Sequence, residues 1–272
     1  MRRRGDRMLI VLFVVILYVY LIAPRMFHKP DCSVLVGTNF AHRGIHNKKC
    51  GRPENSLSAI QMAVDLHYGI EIDVQLTKDN KVVVFHDFDL KRVCGIDKKV
   101  CDLTYEELTK YHLLDTKEQI PLLSQVLEIV DGSVPLLVEF KCKNIKDQIA
   151  PRADDLLAEY KGVYYIQSFH PIVLWWYRKN KPNIIRGQLA EHHGWKNLLY
   201  NFVLFLHKHL IFNAVSRPDF ISYNFEHQKE VSLNICKYFF RRPIAAWTVR
   251  SKKELQKCMD KFDVIIFEDF YI

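Results

Sequence analysis

The sequence lacks the cysteine spacings of a metal finger or a disulfide framework. Its seven cysteines form no CxxC pair, and an odd number of thiols cannot all pair within one chain. We expect mostly free and partly buried thiols, although Cys94 and Cys101 are close enough in sequence to form a disulfide. Free thiols fit poorly with an oxidising exterior.

Other absences narrow the class of protein further. No glycine-rich loop follows the first predicted strand, which argues against a dinucleotide-binding fold. No internal repeat or low-complexity tract interrupts the 272 residues, a length that suits one large core. The formal charge of +8 is scattered, and no basic-aromatic stripe accompanies it. Nucleic-acid binding is therefore the least supported function.

The one long apolar run lies at the N-terminus. Four arginines within residues 2 to 7 precede an unbroken apolar stretch from Met8 to Ala23. We predict that residues 1 to 30 form a short cytoplasmic stub and a single transmembrane helix, because Leu21-Ile22-Ala23-Pro24 is a poor cleavage site. A cleaved signal peptide is the alternative. The arginines place the remaining domain, residues 31 to 272, outside the cytoplasm in a single-pass arrangement.

Beyond this segment, the hydrophobic pattern switches regularly between strand and helix periods. Helical patterns separate nearly all of the predicted strands. Eight parallel strands with helical crossovers favour a TIM (β/α)8 barrel, an α/β fold, over an open doubly wound sheet. The predicted strands cover residues 35 to 42, 70 to 76, 134 to 141, 163 to 169, 184 to 189, 220 to 224, 243 to 249 and 264 to 268.

A hairpin interrupts this alternation after the second strand, because Leu76 and Lys81 are too close for a helix between them. We predict a tight antiparallel turn with Asp79-Asn80 as a two-residue loop, which places Asp73 opposite His86. A change of turn type by one residue would shift this pairing. The inserted hairpin thus carries candidate catalytic residues into the barrel.

Acidic side chains occur at the ends of two predicted strands. Glu71 and Asp73 share one face of the second strand, and Glu139 ends the next strand of the barrel. Buried acids that converge need a neutralising cation. Oxygen ligands without cysteine suit a hard divalent metal, Mg²⁺ or Ca²⁺, and the sequence therefore predicts a metal site of Glu71, Asp73 and Glu139.

Histidines and cations lie at the same predicted edge. His42 and Arg43 follow the first strand, His86 ends the hairpin, and Lys141 follows Glu139 by two residues. The carboxyl ends of barrel strands form the active face. A metal, two histidines for acid and base catalysis, and Arg43 and Lys141 as anion contacts favour phosphoryl chemistry over acyl or glycosyl transfer.

The motifs that carry these residues resemble the glycerophosphodiester phosphodiesterase (GDPD) family in order and spacing. They are AHRG, RPENSLSAI, GIEIDVQLTKDNKVVVFHD, LTYEEL, IPLLSQVL, LLVEFK, SFHP, AAWTV and DVIIFED, over residues 36 to 268. The resemblance implies a metal-dependent enzyme that hydrolyses glycerophosphodiesters to an alcohol and glycerol 3-phosphate. It also implies that Glu54 supports the site and that Trp247 lines the glycerol pocket.

Two other functions stay open on the sequence alone. A lysophospholipase D would use the same residues on a lysophospholipid that keeps its acyl chain. A catalytically silent barrel would only bind phospholipid headgroups. The apolar segment 195 to 212 suggests a helix whose outer side dips into a membrane, and a well-packed barrel helix is the alternative.

The chain departs from the family pattern in two places. The last strand leads into Phe267-Glu268-Asp269-Phe270 where the family usually has Thr-Asp and a proline, so the nearby rim and the substrate preference are expected to differ. Residues 88 to 133 leave room only for a short cap over the barrel.

Overall fold

Parallel strands and helices alternate along most of the chain. The computed structural model describes residues 2–142, 148–191 and 198–272. Within them, one sheet contains nine strands: β1 (Asn39–His42), β2 (Gly69–Leu76), β3 (Val82–Val84), β4 (Leu136–Phe140), β5 (Tyr164–Ser168), β6 (Arg186–Ala190), β7 (Phe220–Asn224), β8 (Ile244–Val249) and β9 (Val264–Phe267).

Helices connect these strands and cover the outside of the sheet. In the described residues they are α1 (Arg2–Ile22), α2 (Leu57–Asp65), α3 (Lys91–Cys94), α4 (Tyr105–Leu108), α5 (Leu123–Val130), α6 (Ile149–Leu157), α7 (Pro171–Asn180), α8 (Leu198–Lys208), α9 (Asn213–Ser216), α10 (Val231–Asn234) and α11 (Lys252–Cys258). Thr104 opens α4 with a capping box, in which its side chain and that of Glu107 bond to each other's backbone N–H groups. Part of the apolar segment 195 to 212, residues 195–197, lies outside the described residues.

The sheet closes on itself. Its order is β1-β9-β8-β7-β6-β5-β4-β2-β3, and β1 also pairs with β2. All pairings among the eight strands of the ring are parallel, whereas β3 pairs antiparallel with β2 outside the ring. The predicted (β/α)8 barrel with an inserted hairpin is confirmed, and the open-sheet alternative is wrong.

Most predicted strand boundaries agree with the structure to within two residues, but the first strand is shorter. It begins at Asn39 rather than at Leu35. Ser33–Leu35 form a 3₁₀ turn, and Gly37 adopts a left-handed conformation with φ of 81°. A strand cannot continue through that backbone geometry.

Two apolar layers leave a polar zone at one end of the barrel. Ile70, Ile72 and Val74 of β2 pack outward into the layer between strands and helices. Phe40 and Phe220 belong to a second cluster that fills the barrel interior. Because side chains of a strand alternate, the residues between these outward positions point into the barrel, where the acids of β2 lie.

The hairpin after β2 has a different register from the predicted one. Val74 pairs with Val84, so the loop holds three residues, and the predicted pairing of Asp73 with His86 is wrong by one residue. Asn80 closes this loop with φ of 59°, a left-handed conformation that asparagine tolerates and that three-residue loops require. His86 still lines the central cavity, because β3 ends at Val84 and the next residues leave the ladder.

A small apolar cluster caps the hairpin. Val83 and Phe85 pack there with Leu90, Val93 and Leu108 from the segment that contains α3 and α4. The cap is short, as the sequence indicates. It fixes the end of the hairpin over the rim of the barrel and so positions the residues that follow β3.

No helix among the described residues is both long enough and apolar enough to cross a membrane. The predicted transmembrane helix is therefore not supported. The apolar run from Met8 to Ala23 has 16 residues, and at 1.5 Å per residue it reaches about 24 Å, less than the roughly 30 Å of a hydrocarbon core.

Six of the seven cysteines, all but Cys142, are free thiols, and three of them, Cys32, Cys236 and Cys258, are buried. The prediction of free, partly buried thiols is confirmed. Burial raises the pKa of Cys236 to about 12, so this thiol is unreactive at neutral pH.

Candidate active site

The first strand ends in a turn that brings two side chains to the mouth of the barrel. His42 is the last residue of β1, and Arg43 follows with φ of 57°. The backbone N–H of Arg43 donates to Glu71 Oε2 at 3.2 Å. Gly44 has φ of 78°, and a Cβ at this position would lie 2.7 Å from the backbone oxygen of Ala59. The glycine thus lets α2 approach the turn closely.

Three acids converge inside the barrel beside this turn. Glu71 and Asp73 point inward from β2, and Glu139 is the register partner of Asp73 on β4. One oxygen of each lies within 4.8 Å of the others, and all three side chains are buried. The predicted convergence of the three acids is therefore present. Such a donor set of oxygens suits a hard divalent cation.

Burial and mutual repulsion make this cluster unfavourable without a cation. Burial raises the pKa of Glu71 well above its usual value, and the charges of Asp73 and Glu139 add to this effect. Burial also raises the pKa of Glu139. Glu71 Oε1 has no hydrogen-bond partner among the described residues. A buried carboxylate oxygen that has no hydrogen-bond partner and lies near two other acids is suited to bind a cation. These residues therefore fit a divalent ion.

The two predicted anion contacts are paired with these acids. Lys141 Nζ lies 3.0 Å from Asp73 Oδ1 and contacts Glu139. Arg43 Nε lies 3.3 Å from Asp73 Oδ2. Although burial opposes ionisation, Lys141 and the other nearby cations lower the pKa of Asp73. Asp73 is thus an ionised carboxylate, and both cations line the cavity.

Glu54 lies in a neighbouring ion-pair network rather than in the acid cluster. Its carboxylate accepts hydrogen bonds from Arg43 Nη1 at 2.7 Å and from both terminal nitrogens of Arg92 at 2.7 and 2.6 Å. Arg92 Nε also donates to Asp87 Oδ2 at 2.7 Å, and Asp87 Oδ1 lies 2.6 Å from His86 Nδ1. Glu54 therefore supports the site by orienting two arginines, one on each side.

The next residue, Asn55, contacts the acid cluster directly. Its side-chain nitrogen donates to Asp73 Oδ2 at 2.9 Å, and its φ of 57° turns the chain toward the start of α2. Asn55 lies in the PEN motif, so the motif gave a signal that sequence reasoning did not use. Two further residues were also missed: Arg92, which donates to Asp87, and Glu268, which contacts His42.

A cavity of about 190 Å³ joins these groups at the carboxyl ends of the strands. One side is charged and holds both predicted histidines. The opposite side is largely apolar, with Phe169, Leu189 and Trp247. The rings of Phe169 and Trp247 meet edge to face at 5.7 Å. The predicted position of Trp247 in the wall of the pocket is compatible with this geometry.

The imidazole of His42 is uncharged at neutral pH. Burial lowers its pKa to about 4, and the nearby charge of Arg43 contributes to this shift. Its Nε2 faces Glu71 Oε2 at 4.0 Å. A neutral imidazole at the edge of an acid cluster is able to accept a proton from a substrate group.

The fold and the site together define a class of protein: a (β/α)8 barrel with a carboxylate cluster for a divalent cation between two histidines. Residues 42–238 match the model of the glycerophosphoryl diester phosphodiesterase family. Because this match covers most of the chain, the protein belongs to that family, and the resemblance seen in the motifs is confirmed.

Relatives with curated names agree with this assignment. The chain is 34% identical to a glycerophosphodiester phosphodiesterase of Bacillus altitudinis over 53% of this chain and 63% of the relative. It is 31% identical to a lysophospholipase D of Rattus norvegicus over 51% of this chain and 46% of the relative. The chain thus spans less than two thirds of the length of each of these two relatives.

The fold also matches a solved structure. A glycerophosphodiester phosphodiesterase from Thermotoga maritima superposes with a TM-score of 0.61 at 27% identity, over 84% of this chain and 93% of the other. The resemblance therefore extends over nearly the whole barrel.

Proposed function

We propose that the protein hydrolyses glycerophosphodiesters to an alcohol and glycerol 3-phosphate with the help of a divalent cation. The observation that carries this proposal is the convergence of Glu71, Asp73 and Glu139 within 4.8 Å of one another, in a cavity that also contains His42 and His86. A phosphodiester carries one negative charge, and a cation site flanked by two proton-transfer groups is suited to its cleavage.

Glu71, Asp73 and Glu139 would hold the cation, either Mg²⁺ or Ca²⁺, since both prefer oxygen ligands. When bound, it would neutralise charge that builds up on the phosphate oxygens. Lys141 and Arg43 border the same space, and we assign them to the phosphate oxygens that the cation leaves unbound. Trp247 would pack against the glycerol carbons.

His42 and His86 would move the protons of the reaction. As a hydroxyl oxygen forms a bond to phosphorus, one imidazole takes the hydroxyl proton. As the bond from phosphorus to the alcohol oxygen breaks, the other gives that oxygen a proton. The attacking hydroxyl is either that of water or one of the glycerol moiety, which would form a cyclic phosphate that water then opens. Both routes use the same two residues.

Lysophospholipids are a second candidate substrate class. The wall of the cavity formed by Trp247 and Phe169 continues toward α8. The ring of Phe169 lies 5.9 Å from the ring of His207 on that helix. On the same helix, Phe202 and Phe205 are exposed. An acyl chain leaving the cavity along this wall would meet apolar side chains, and one relative is named a lysophospholipase D.

A metal-dependence assay with three substrates tests the proposed function. Glycerophosphocholine, glycerophosphoethanolamine and lysophosphatidylcholine are each incubated with the full chain and Mg²⁺ or Ca²⁺, and glycerol 3-phosphate or lysophosphatidic acid is measured. We expect metal-dependent release from at least one glycerophosphodiester. Turnover of lysophosphatidylcholine alone would favour the second candidate, and no turnover of any of the three would contradict both.

We also propose that the protein works at a membrane surface. Residues 8–17 of α1 each expose between 42% and 71% of their surface, so apolar side chains cover every side of the helix. An exposed apolar stretch of this length is suited to contact with lipid at a membrane surface. Arginines precede this stretch, and Tyr18 and Tyr20 end it, as at a lipid interface.

The course of α1 supports a membrane beside the mouth of the cavity. Its last carbonyl, at Ile22, accepts from Asn213 Nδ2 at 2.7 Å and contacts Cys236. One turn earlier, the hydroxyl of Tyr18 lies near Ser232. Along the chain, Ser232 is nearer than Cys236 to Asn224, where β7 ends, and we infer that the rest of α1 extends toward the carboxyl ends of the strands. The extracytoplasmic location of the barrel stays a prediction.

Sedimentation with vesicles tests this location. We expect the full chain to bind vesicles of phosphatidylcholine and phosphatidylglycerol, and the double variant Leu12→Asp, Phe13→Asp to lose binding, because each aspartate costs about 2.5–3.5 kcal/mol in hydrocarbon. Val163→Asp is the matched control, since Val163 is 56% exposed but precedes β5 at the opposite end of the barrel. Equal binding of the double variant and the wild type would contradict the proposal.

A further inference from the structure

Glu268, which the family resemblance left without a role, contacts one of the two histidines of the site. It follows β9, the neighbour of β1 in the barrel. Its Oε2 lies 2.5 Å from His42 Nδ1, and only 12% of its side chain is exposed. This acid lies in the segment where the chain departs from the family pattern.

Other residues besides His42 hold Glu268 in place. Arg250, just after β8, donates from Nε to Glu268 Oε1 at 2.6 Å. The backbone N–H of Glu268 donates to the oxygen of Val249 at 3.0 Å, and His46 Nε2 lies 3.6 Å from Glu268 Oε2. These contacts fix the position of the carboxylate, so that it restrains the imidazole of His42.

The charge of Glu268 defines the direction of this hydrogen bond. Although burial opposes ionisation, the hydrogen bond from His42, the nearby His46 and the charge of Arg250 lower the pKa of Glu268. An ionised carboxylate only accepts hydrogen bonds. Nδ1 of His42 is therefore the protonated nitrogen, and in the neutral ring Nε2, which faces Glu71 and the cavity, carries a free lone pair.

We infer that Glu268 is a positioning residue that holds His42 in the tautomer and orientation needed for proton transfer at Nε2. The inference rests on the proposed function for its effect on turnover, but the tautomer itself does not depend on it. Fixing a histidine through the nitrogen that does not face the substrate is a general way to set its tautomer and orientation.

The second histidine has the same arrangement on the other side of the site. His86 Nδ1 lies 2.6 Å from Asp87 Oδ1, and Arg92 Nε donates to Asp87 Oδ2 at 2.7 Å. Each histidine thus contacts a carboxylate through Nδ1, and an arginine donates to the other oxygen of that carboxylate. In one case the acid is next to its histidine in sequence, and in the other it is 226 positions away. The repeated geometry on two unrelated segments supports a positioning role for Glu268.

Kinetics with a conservative series test the inference. In Glu268→Gln we expect kcat to fall roughly tenfold to hundredfold with KM within about twofold of the wild type, because an amide holds the ring less firmly and provides no charge. Glu268→Asp keeps the charge and should recover part of the loss. Asp269→Asn is the control: Asp269 is exposed, has φ of 68°, and asparagine tolerates that conformation.

A measurement without substrate separates this inference from the proposed function. Nitrogen chemical shifts of the His42 ring, assigned by comparison with His42→Ala, report the tautomer in the folded protein. We expect the proton on Nδ1 in the wild type and a mixture in Glu268→Gln. A proton on Nε2 in the wild type, or wild-type kcat in Glu268→Gln, would overturn the inference. An inactive wild type with the expected tautomer would refute only the proposed function.

Discussion

Replacing either His42 or His86 by alanine is expected to lower kcat for glycerophosphodiester hydrolysis by roughly a hundredfold or more. Both imidazoles line the cavity that contains Glu71 and Glu139. Each is held through Nδ1 by a carboxylate, which leaves Nε2 for the substrate. Removing one imidazole removes either the group that takes a proton or the group that gives one, whereas the cation site stays intact. Product release at saturating substrate measures the effect.

The control for this prediction is His112→Ala. His112 is exposed in the cap and does not line the cavity, so its loss should leave turnover close to that of the wild type. Thermal unfolding of all three variants shows whether they are folded. If His42→Ala and His86→Ala released product as fast as the wild type, acid and base catalysis by these histidines would be wrong.

The positions of the site residues could be predicted because the barrel repeats one simple unit. A polar residue at the carboxyl end of a strand lies at the same end of the barrel whichever strand carries it. This rule brought His42, Glu71, Asp73 and Glu139 together without any knowledge of their distances. The same rule applies to Glu268, which ends the last predicted strand, and it would have identified this residue if it had been applied there.

The register of the hairpin could not be predicted in the same way. Loops of two and three residues differ only in the conformation of residues such as Asn80, and the sequence Thr-Lys-Asp-Asn-Lys permits both. Two hydrogen bonds to Asp79 Oδ1 fix the wider loop: Thr77 Oγ1 donates to it at 2.6 Å, and the backbone N–H of Tyr105 donates to it at 3.0 Å. The second contact is tertiary, so local patterns do not reveal it.

Arg92 was missed for a related reason. It lies in α3, away from any strand end, and its side chain is about half exposed. Nothing in its local sequence distinguishes it from other surface arginines. Its role follows only from the position of the cap, which brings it between Glu54 and Asp87.

Removal of the divalent cation is expected to abolish hydrolysis, with a loss of several kcal/mol of transition-state stabilisation, roughly a thousandfold or more in rate. Chelation followed by addition of Mg²⁺ or Ca²⁺ measures the loss and its recovery. Asp73→Asn should resemble the chelated enzyme even with metal present, because Asp73 is the acid whose pKa lies below its usual value. Full activity after chelation would contradict the assigned site.

The acid cluster also predicts how metal binding depends on pH. The pKa values of Glu71 and Glu139 are raised in the folded protein. Between the usual glutamate pKa and these raised values, the folded state binds more protons than the unfolded state. The free energy of unfolding of the metal-free protein therefore falls as pH rises through this window. A metal must displace the same protons, so its affinity rises with pH.

Thermal unfolding at about pH 5.5 and about pH 8, with and without metal, checks this sign. At pH about 8 and a metal concentration of roughly a hundred times Kd, the metal should add about 2.7 kcal/mol to the free energy of unfolding. The gain should be smaller at the lower pH.

Glu71→Gln separates the two effects. Without metal, this variant should be more stable than the wild type at pH about 8, because a neutral amide replaces a buried acid next to two others. With metal it should gain less, because a ligand is lost. A variant less stable than the wild type without metal, and equally stabilised by it, would show that Glu71 is a structural acid and that the cation binds elsewhere.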